Sequence, residues 1–189
     1  MMHRNDLIND LKARTEEVIL EARKFNTLSI DELNYRSKPS SWSILECLEH
    51  LNRYGDFYLP EIDNRLTMAQ ASKMERFNSG WLGNYFAVSM LPRENGKLNK
   101  MKTFKSMNPI LSRLGIEVVT KFLDQEKQML SLLTRAEYVD LNRVKTSISI
   151  SKWIKLRLGD TLRVVVYHNQ RHILQAEKVL TSLKVAVNT

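Results

Sequence analysis

Apolar residues recur at helical spacing in four long stretches of the chain. Leu7, Ile8, Leu11, Val18, Ala22 and Phe25 fall on one face of about residues 4–25, with charged residues in the gaps. Ile44, Leu48, Leu51, Tyr58 and Ile62 mark a second helix. It opens with a capping box, in which the Ser43 oxygen takes an orphan N–H and Glu46, three residues on, reaches back. Pro60 falls inside this pattern and is expected to kink or interrupt it, because it lacks a donor and crowds the carbonyl four residues earlier. A third helix is predicted from about Ser112 to Ala136, with Leu114, Val118, Phe122, Met129 and Leu132 inward. Asp160 is placed to cap the last, which runs to about Leu183 and buries Leu162, Val165, Ile173, Ala176 and Val179.

The stretches between are less regular. Ser29–Ser41 carries Pro39 and several serines and reads as a connection. GWLGNYFAVSML reads as a short helix between glycines, and LPRENGKLNKMKTFKSMNP as a long loop of the kind that is usually functional or disordered. LNRVKTSISISKWIKLRLG is rich in β-branched residues with partial alternation, an extended connection with strand character. Four amphipathic segments, two joined by lengthy connections, give an all-α fold: a four-helix bundle with long crossover connections, one domain over residues 1–189. The chain holds no GxGxxG, no GxxxxGK[ST], no internal repeat and no low-complexity tract.

Composition adds little to this picture. With 43% hydrophobic and 26% charged residues among 189, the chain can bury a sizeable core. No apolar run approaches the roughly 20 residues that cross a bilayer, so no membrane association is expected. MMHRNDLINDLKAR has no apolar segment of a secretory signal, and the one cysteine, Cys47, suits a reducing compartment; the expectation is a cytoplasmic protein. The net charge of +8 is mostly dispersed among acids, as on solvated helix faces. Arg93–Lys105 is the exception, with one acid, Glu94, among Arg93, Lys97, Lys100, Lys102 and Lys105. Such a loop either contacts nucleic acid, attracts an anionic small-molecule substrate, or is simply solvated. No zinc finger, helix-turn-helix or aromatic RNA-binding motif accompanies it, so nucleic acid is the minority reading.

The candidate chemistry lies in the histidines. His3 belongs to a terminus expected to fray and is set aside. His168 and His172 stand four apart on a predicted helix, which puts both imidazoles on one face, one turn apart, where they can share an ion. His50 lies in the inward stretch of the second helix, and bundles build metal sites from facing helices. An isolated HxxxH is a weak signal, and two half-buried polar histidines would give the same pattern. Asn169 stands where an HExxH protease needs its glutamate base, which disfavours a metalloprotease. Glu46 either orients His50 or only caps its helix; Tyr54, one turn after His50, either bonds a substrate or packs with its hydroxyl outward. Cys47 is a fourth ligand or a small buried thiol. Gln175 shares the face of His168 and His172, and Arg171 either holds an anionic substrate group or pairs at the surface. Trp42 and Trp81 read as core or lid aromatics. No carboxylate is assigned as general base, so the catalytic residue stays unassigned.

These pieces together resemble a known family. WSILECLEHL looks like the WS-x-x-E-x-x-x-HL motif that opens the second helix of the DinB/YfiT-like superfamily of metal-dependent enzymes. GWLGNYF with MLP, and MKTFKSMNP, resemble the connecting segment of a subset of that superfamily. LGDTLRVVVYHNQRHILQAEKVL is similar to its last helix. The likeness runs from about residue 30 to the end in the right order. It implies a DinB-like four-helix bundle in which three histidines, here His50, His168 and His172, bind a divalent ion, commonly nickel or zinc. Three neutral imidazoles leave coordination positions open, as in catalytic sites. Relatives include transferases and isomerases that use a low-molecular-weight thiol, and metal-dependent hydrolases, so the resemblance implies thiol transfer or hydrolysis on a small molecule. Two rivals remain open: a non-catalytic metal-stabilised ligand-binding bundle, and a basic nucleic-acid-associated protein. A homodimer is compatible with any of them.

Overall fold

The structure is a computed structural model, and it describes residues 1–92, 98 and 101–187. Four long helices carry it: α1 (Arg4–Lys24), α3 (Ile44–Met68), α5 (Glu117–Ala136) and α6 (Leu158–Val187). Two shorter ones, α2 (Ile30–Leu33) and α4 (Trp81–Met90), lie in the connections. Among the described residues, β1 (Met2–His3) pairs antiparallel with β2 (Arg76–Phe77), and β3 (Lys145–Ile148) forms a hairpin with β4 (Ser151–Arg157). The fold is predominantly all-α, as the apolar periodicity predicts.

Side-chain pairs fix the directions of the helices. α3 and α5 run parallel: Asn52 reaches the Val118 carbonyl, Lys121 pairs with Asp56, and Arg135 with Asp63. α1 runs against α5, through Lys12 and Glu137, and along α6, through Arg14 and Gln170. Both α1 and α3 pack on α5 and on α6, so the order around the bundle is α1, α5, α3, α6. Parallel α3 and α5 require the chain to recross the bundle between them, and the described part of this connection includes α4.

The apolar core divides into two clusters along the bundle axis. Between Leu11 and Val18, Leu51 and Tyr58, Phe122 and Met129, and Val166 and Ile173, each long helix passes a buried polar residue: Thr15, Asn52, Glu126 and Asn169. In this layer Asn169 Nδ2 donates to Glu126 Oε1 at 2.5 Å across the bundle. Burial raises the Glu126 pKa to about 8, against a smaller lowering by Asn169, so the carboxyl is largely protonated at neutral pH.

Several expectations are corrected. Pro60 does not interrupt α3, which runs through it to Met68. The residue sits on the exposed face while Leu59 and Ile62 beside it are buried, so packing holds the helix and water can take the unpaired carbonyl. α5 starts at Glu117 and not near Ser112; Leu111 sits at positive φ, which a helix cannot contain, and residues 112–115 stay outside the helix. The Ser29–Ser41 connection contains α2, with its own capping box from Ser29 and Glu32. His3 is not frayed, since β1 pairs with β2 and its ring caps α1. Asp160 is not the N-cap of α6, which begins two residues earlier. Its carboxylate instead takes the Gly80 N–H at 2.8 Å and the hydroxyl of Ser79, and faces Arg163, pinning the start of α4 to α6. Most of the basic loop, Arg93–Lys97, Asn99 and Lys100, lies outside the described residues.

Candidate metal centre

The first turn of α3 is held from three sides before His50 is reached. Glu46 accepts from the Ser43 N–H at 2.8 Å, from two Arg36 nitrogens at 2.8 and 2.7 Å, and from the Ser112 N–H at 3.1 Å. Burial opposes its ionisation, but these donors together hold its pKa below the usual value. Glu46 is thus fully committed to the cap and to Arg36. A different group orients His50: its Nδ1 donates to the Met107 carbonyl at 2.6 Å, and since a carbonyl only accepts, the proton is on Nδ1. His50 Nε2 is then a bare lone pair.

That lone pair faces His168 Nε2 at 3.2 Å. His172 completes the group, with one ring nitrogen from each of the three histidines within 4.8 Å of the others. His172 Nδ1 meets Gln175 Oε1 at 3.0 Å, one turn on, which leaves its Nε2 free as well. The set fits a divalent transition ion on two grounds. At metal–nitrogen distances of 2.0–2.1 Å, tetrahedral ligand nitrogens stand roughly 3.3 Å apart. Two of the three rings already carry the outward N–H bonds that orient ligand imidazoles. All three are neutral. Burial brings His50 down to about 4, and burial plus the neighbouring imidazoles and Arg171 hold His168 and His172 well below the usual value.

Aromatic rings fix the group in place. Trp42 stands 4.6 Å from His50 and 5.5 Å from His172 by ring centroids, and its N–H donates to Asn108 Oδ1 at 3.1 Å. Tyr54 meets His50 and His168 edge-on at 4.9 and 4.8 Å. Burial raises the Tyr54 pKa, which keeps its hydroxyl protonated. The histidines border a cavity of about 860 Å³ that Tyr54, Arg171 and Gln175 also line. Cys47 faces the apolar core instead, where burial holds the thiol protonated. Trp81 is exposed and far from a lid's role, whereas Trp42 is a wall of the site. Asn169 turns away to Glu126. Among the described residues no carboxylate lines the cavity.

The sequence model of the DinB superfamily matches residues 13–176. The chain belongs to the DinB superfamily. Its His50, His168 and His172 stand together as a group compatible with a metal site. Neither a curated protein nor a solved structure matches the chain significantly.

The Met107 carbonyl and Asn108 escape a reading of side-chain motifs, because one acts through its backbone and both come from the crossing segment. Gln175 offers a direct check on the ring orientation. Gln175→Ala should weaken divalent-metal affinity about tenfold to a hundredfold without removing a ligand, as measured by competition with a chromophoric chelator. Unchanged affinity would show that the bond to His172 plays no part.

Proposed function

We propose that the protein is a metal-dependent enzyme in which His50, His168 and His172 hold one divalent transition ion, nickel or zinc, for thiol transfer or hydrolysis on a small molecule. The approach of His50 and His168 to 3.2 Å, with His172 beside them and the outer nitrogens of His50 and His172 bonded to Met107 and Gln175, carries this reading. Such an ion, when bound, acts as a Lewis acid that lowers the pKa of a water or of a low-molecular-weight thiol.

The chain's own groups do the rest. Met107 and Gln175 keep the ring protons on the outward nitrogens, so the inner ones stay unprotonated across the neutral range. Tyr54, whose ring packs edge-on to His168 and lines the cavity, has a protonated hydroxyl suited to donating to a substrate oxygen. Arg171 and Lys102 add positive charge to the cavity wall, which favours an anionic group on the substrate. In transfer, the thiol proton leaves to solvent, sulfur forms the new bond to carbon, and the displaced group takes the old electron pair. In hydrolysis, water supplies the oxygen and its proton follows the leaving group. The adjoining cavity supports catalysis over a purely structural ion, since a closed site would leave nowhere for a substrate.

Elemental analysis of the untagged protein beside His168→Ala tests the reading. About one nickel or zinc per chain is expected, absent from the variant, followed by thiol-transfer or hydrolytic turnover that a chelator abolishes. No metal in either protein after incubation with divalent ions would sink the proposal.

A further inference from the structure

The cavity beside the histidines has two unlike ends. At the metal end its wall is polar, with the three imidazoles, Tyr54, Arg171 and Gln175. At the other end it runs between α4, the β3–β4 hairpin and the first turns of α6, where Phe86, Met90, Ile148, Leu156, Val164 and Val165 line it. None of those six side chains carries a polar group, and the two polar neighbours that also line the cavity at the hairpin, Tyr58 and Ser149, are bonded to each other at 3.3 Å. Val164 and Val165 stand about one helical turn, roughly 5 Å, before His168, so the apolar chamber opens directly off the metal end.

The chamber is built and not a packing accident. Asp160 and Arg163 pin the loop before α4, through Ser79 and Gly80, so that Phe86 and Met90 overhang α6 at a fixed height. On the far side Tyr58 and Glu61 of α3 hold the hairpin, through Ser149 and the Ser147 N–H. Two separately anchored elements, α4 and the hairpin, thus stand over α6 and keep the apolar part open, and the cavity as a whole lies within the size range of small-molecule sites. Ile150 and Phe104, both exposed, border the same cavity and would be covered by an apolar occupant. Water gains little against such walls, and displacing it by hydrocarbon is favourable.

Building on the metal-site reading above, we infer that the molecule meeting the three histidines is an amphiphile: a sulfur or oxygen head that seeks the ion, on an alkyl, acyl or aryl body that lies against Phe86, Met90, Ile148, Leu156 and Val164. The polar end selects the head; the chamber selects the length of the body.

The test uses cobalt-loaded protein, whose visible spectrum reports coordination, titrated with straight-chain thiols from ethanethiol to octanethiol. Affinity should rise on the order of threefold to fourfold per methylene until the chamber is full. Val164→Trp, whose indole would occupy the chamber, should flatten the series, and the milder Phe86→Ala should weaken only the longer members. A spectral response to every thiol with no dependence on length would overturn the inference and leave the metal reading intact. If cobalt binds and no thiol alters its spectrum, the head on the ion is wrong and the inference is overturned; if cobalt does not bind, the metal reading falls instead. The chamber is then read in metal-free protein, by displacement of an anilinonaphthalene dye with the same thiols. Displacement that strengthens with length supports the amphiphile, and displacement indifferent to length overturns it.

Discussion

Glu126→Gln should stabilise the protein at neutral pH, by about 3 kcal/mol at pH 7. Glu126 is buried at the centre of the bundle with Asn169 Nδ2 on one oxygen. Burial raises its pKa from 4.5 to about 8. The folded state therefore keeps a proton that the unfolded state gives up. Between about pH 4.5 and 8 unfolding releases that proton, and stability falls as pH rises, by about 1.4 kcal/mol per pH unit. Glutamine keeps the shape and an oxygen for Asn169 but has no proton to lose. The stability of the variant and the wild type should converge below pH 4.5 and separate progressively above it. Glu177, raised to about 7 by burial and by its contact with Glu21, titrates in the same window. The difference between the two urea-denaturation curves, and not either alone, is thus the readout. A difference that stays constant from pH 4 to 8 would mean that Glu126 ionises normally.

The opposite sign is expected at the other buried carboxylate. Arg36→Met should cost about 3 kcal/mol, because it leaves Glu46 charged and enclosed with only backbone N–H partners. The figure is taken at the low end of the range for broken buried pairs, since the Arg36 side chain is 24% exposed. Glu46 has a lowered pKa, so its contribution is present above about pH 4.5 and lost as pH falls through the folded value. Without Arg36 that acid loss should begin at higher pH. Replacing both partners, Arg36→Met with Glu46→Leu, should recover part of the stability, although Leu also gives up the capping box. Chemical denaturation of the three variants checks this, and additive losses in the double variant would dismiss the pair as a coupled unit.

The two kinds of information in the sequence account for what was legible. The capping box at Ser43 and Glu46, and the shared face of His168 and His172, are local consequences of helical geometry, and both stand in the structure. His50 needed a further premise, that its helix faces the one bearing His168, which the family resemblance supplied. The Met107 carbonyl at His50 could not be read, since it depends on how residues 69–116 fold back over the bundle. Nor could the Glu126–Asn169 bond of the polar layer, because those two residues meet only once the order of the helices is fixed. Asp160 failed for a local reason. An aspartate before a helical run reads as a cap, yet here Leu158 and Gly159 already belong to the helix and the carboxylate serves α4 instead.

Because α3 and α5 are parallel, the chain must recross the bundle, and the recrossing segment does double duty. It steadies one histidine through Met107 and roofs the apolar chamber with Phe86 and Met90, while all three imidazoles belong to α3 and α6. The chamber's roof and the three imidazoles are thus encoded in different stretches of chain, while Val164 and Val165 of α6 line the chamber beside them. A descendant of this protein could exchange residues 81–90 and the hairpin for others and meet a new molecule, with its three histidines inherited unaltered.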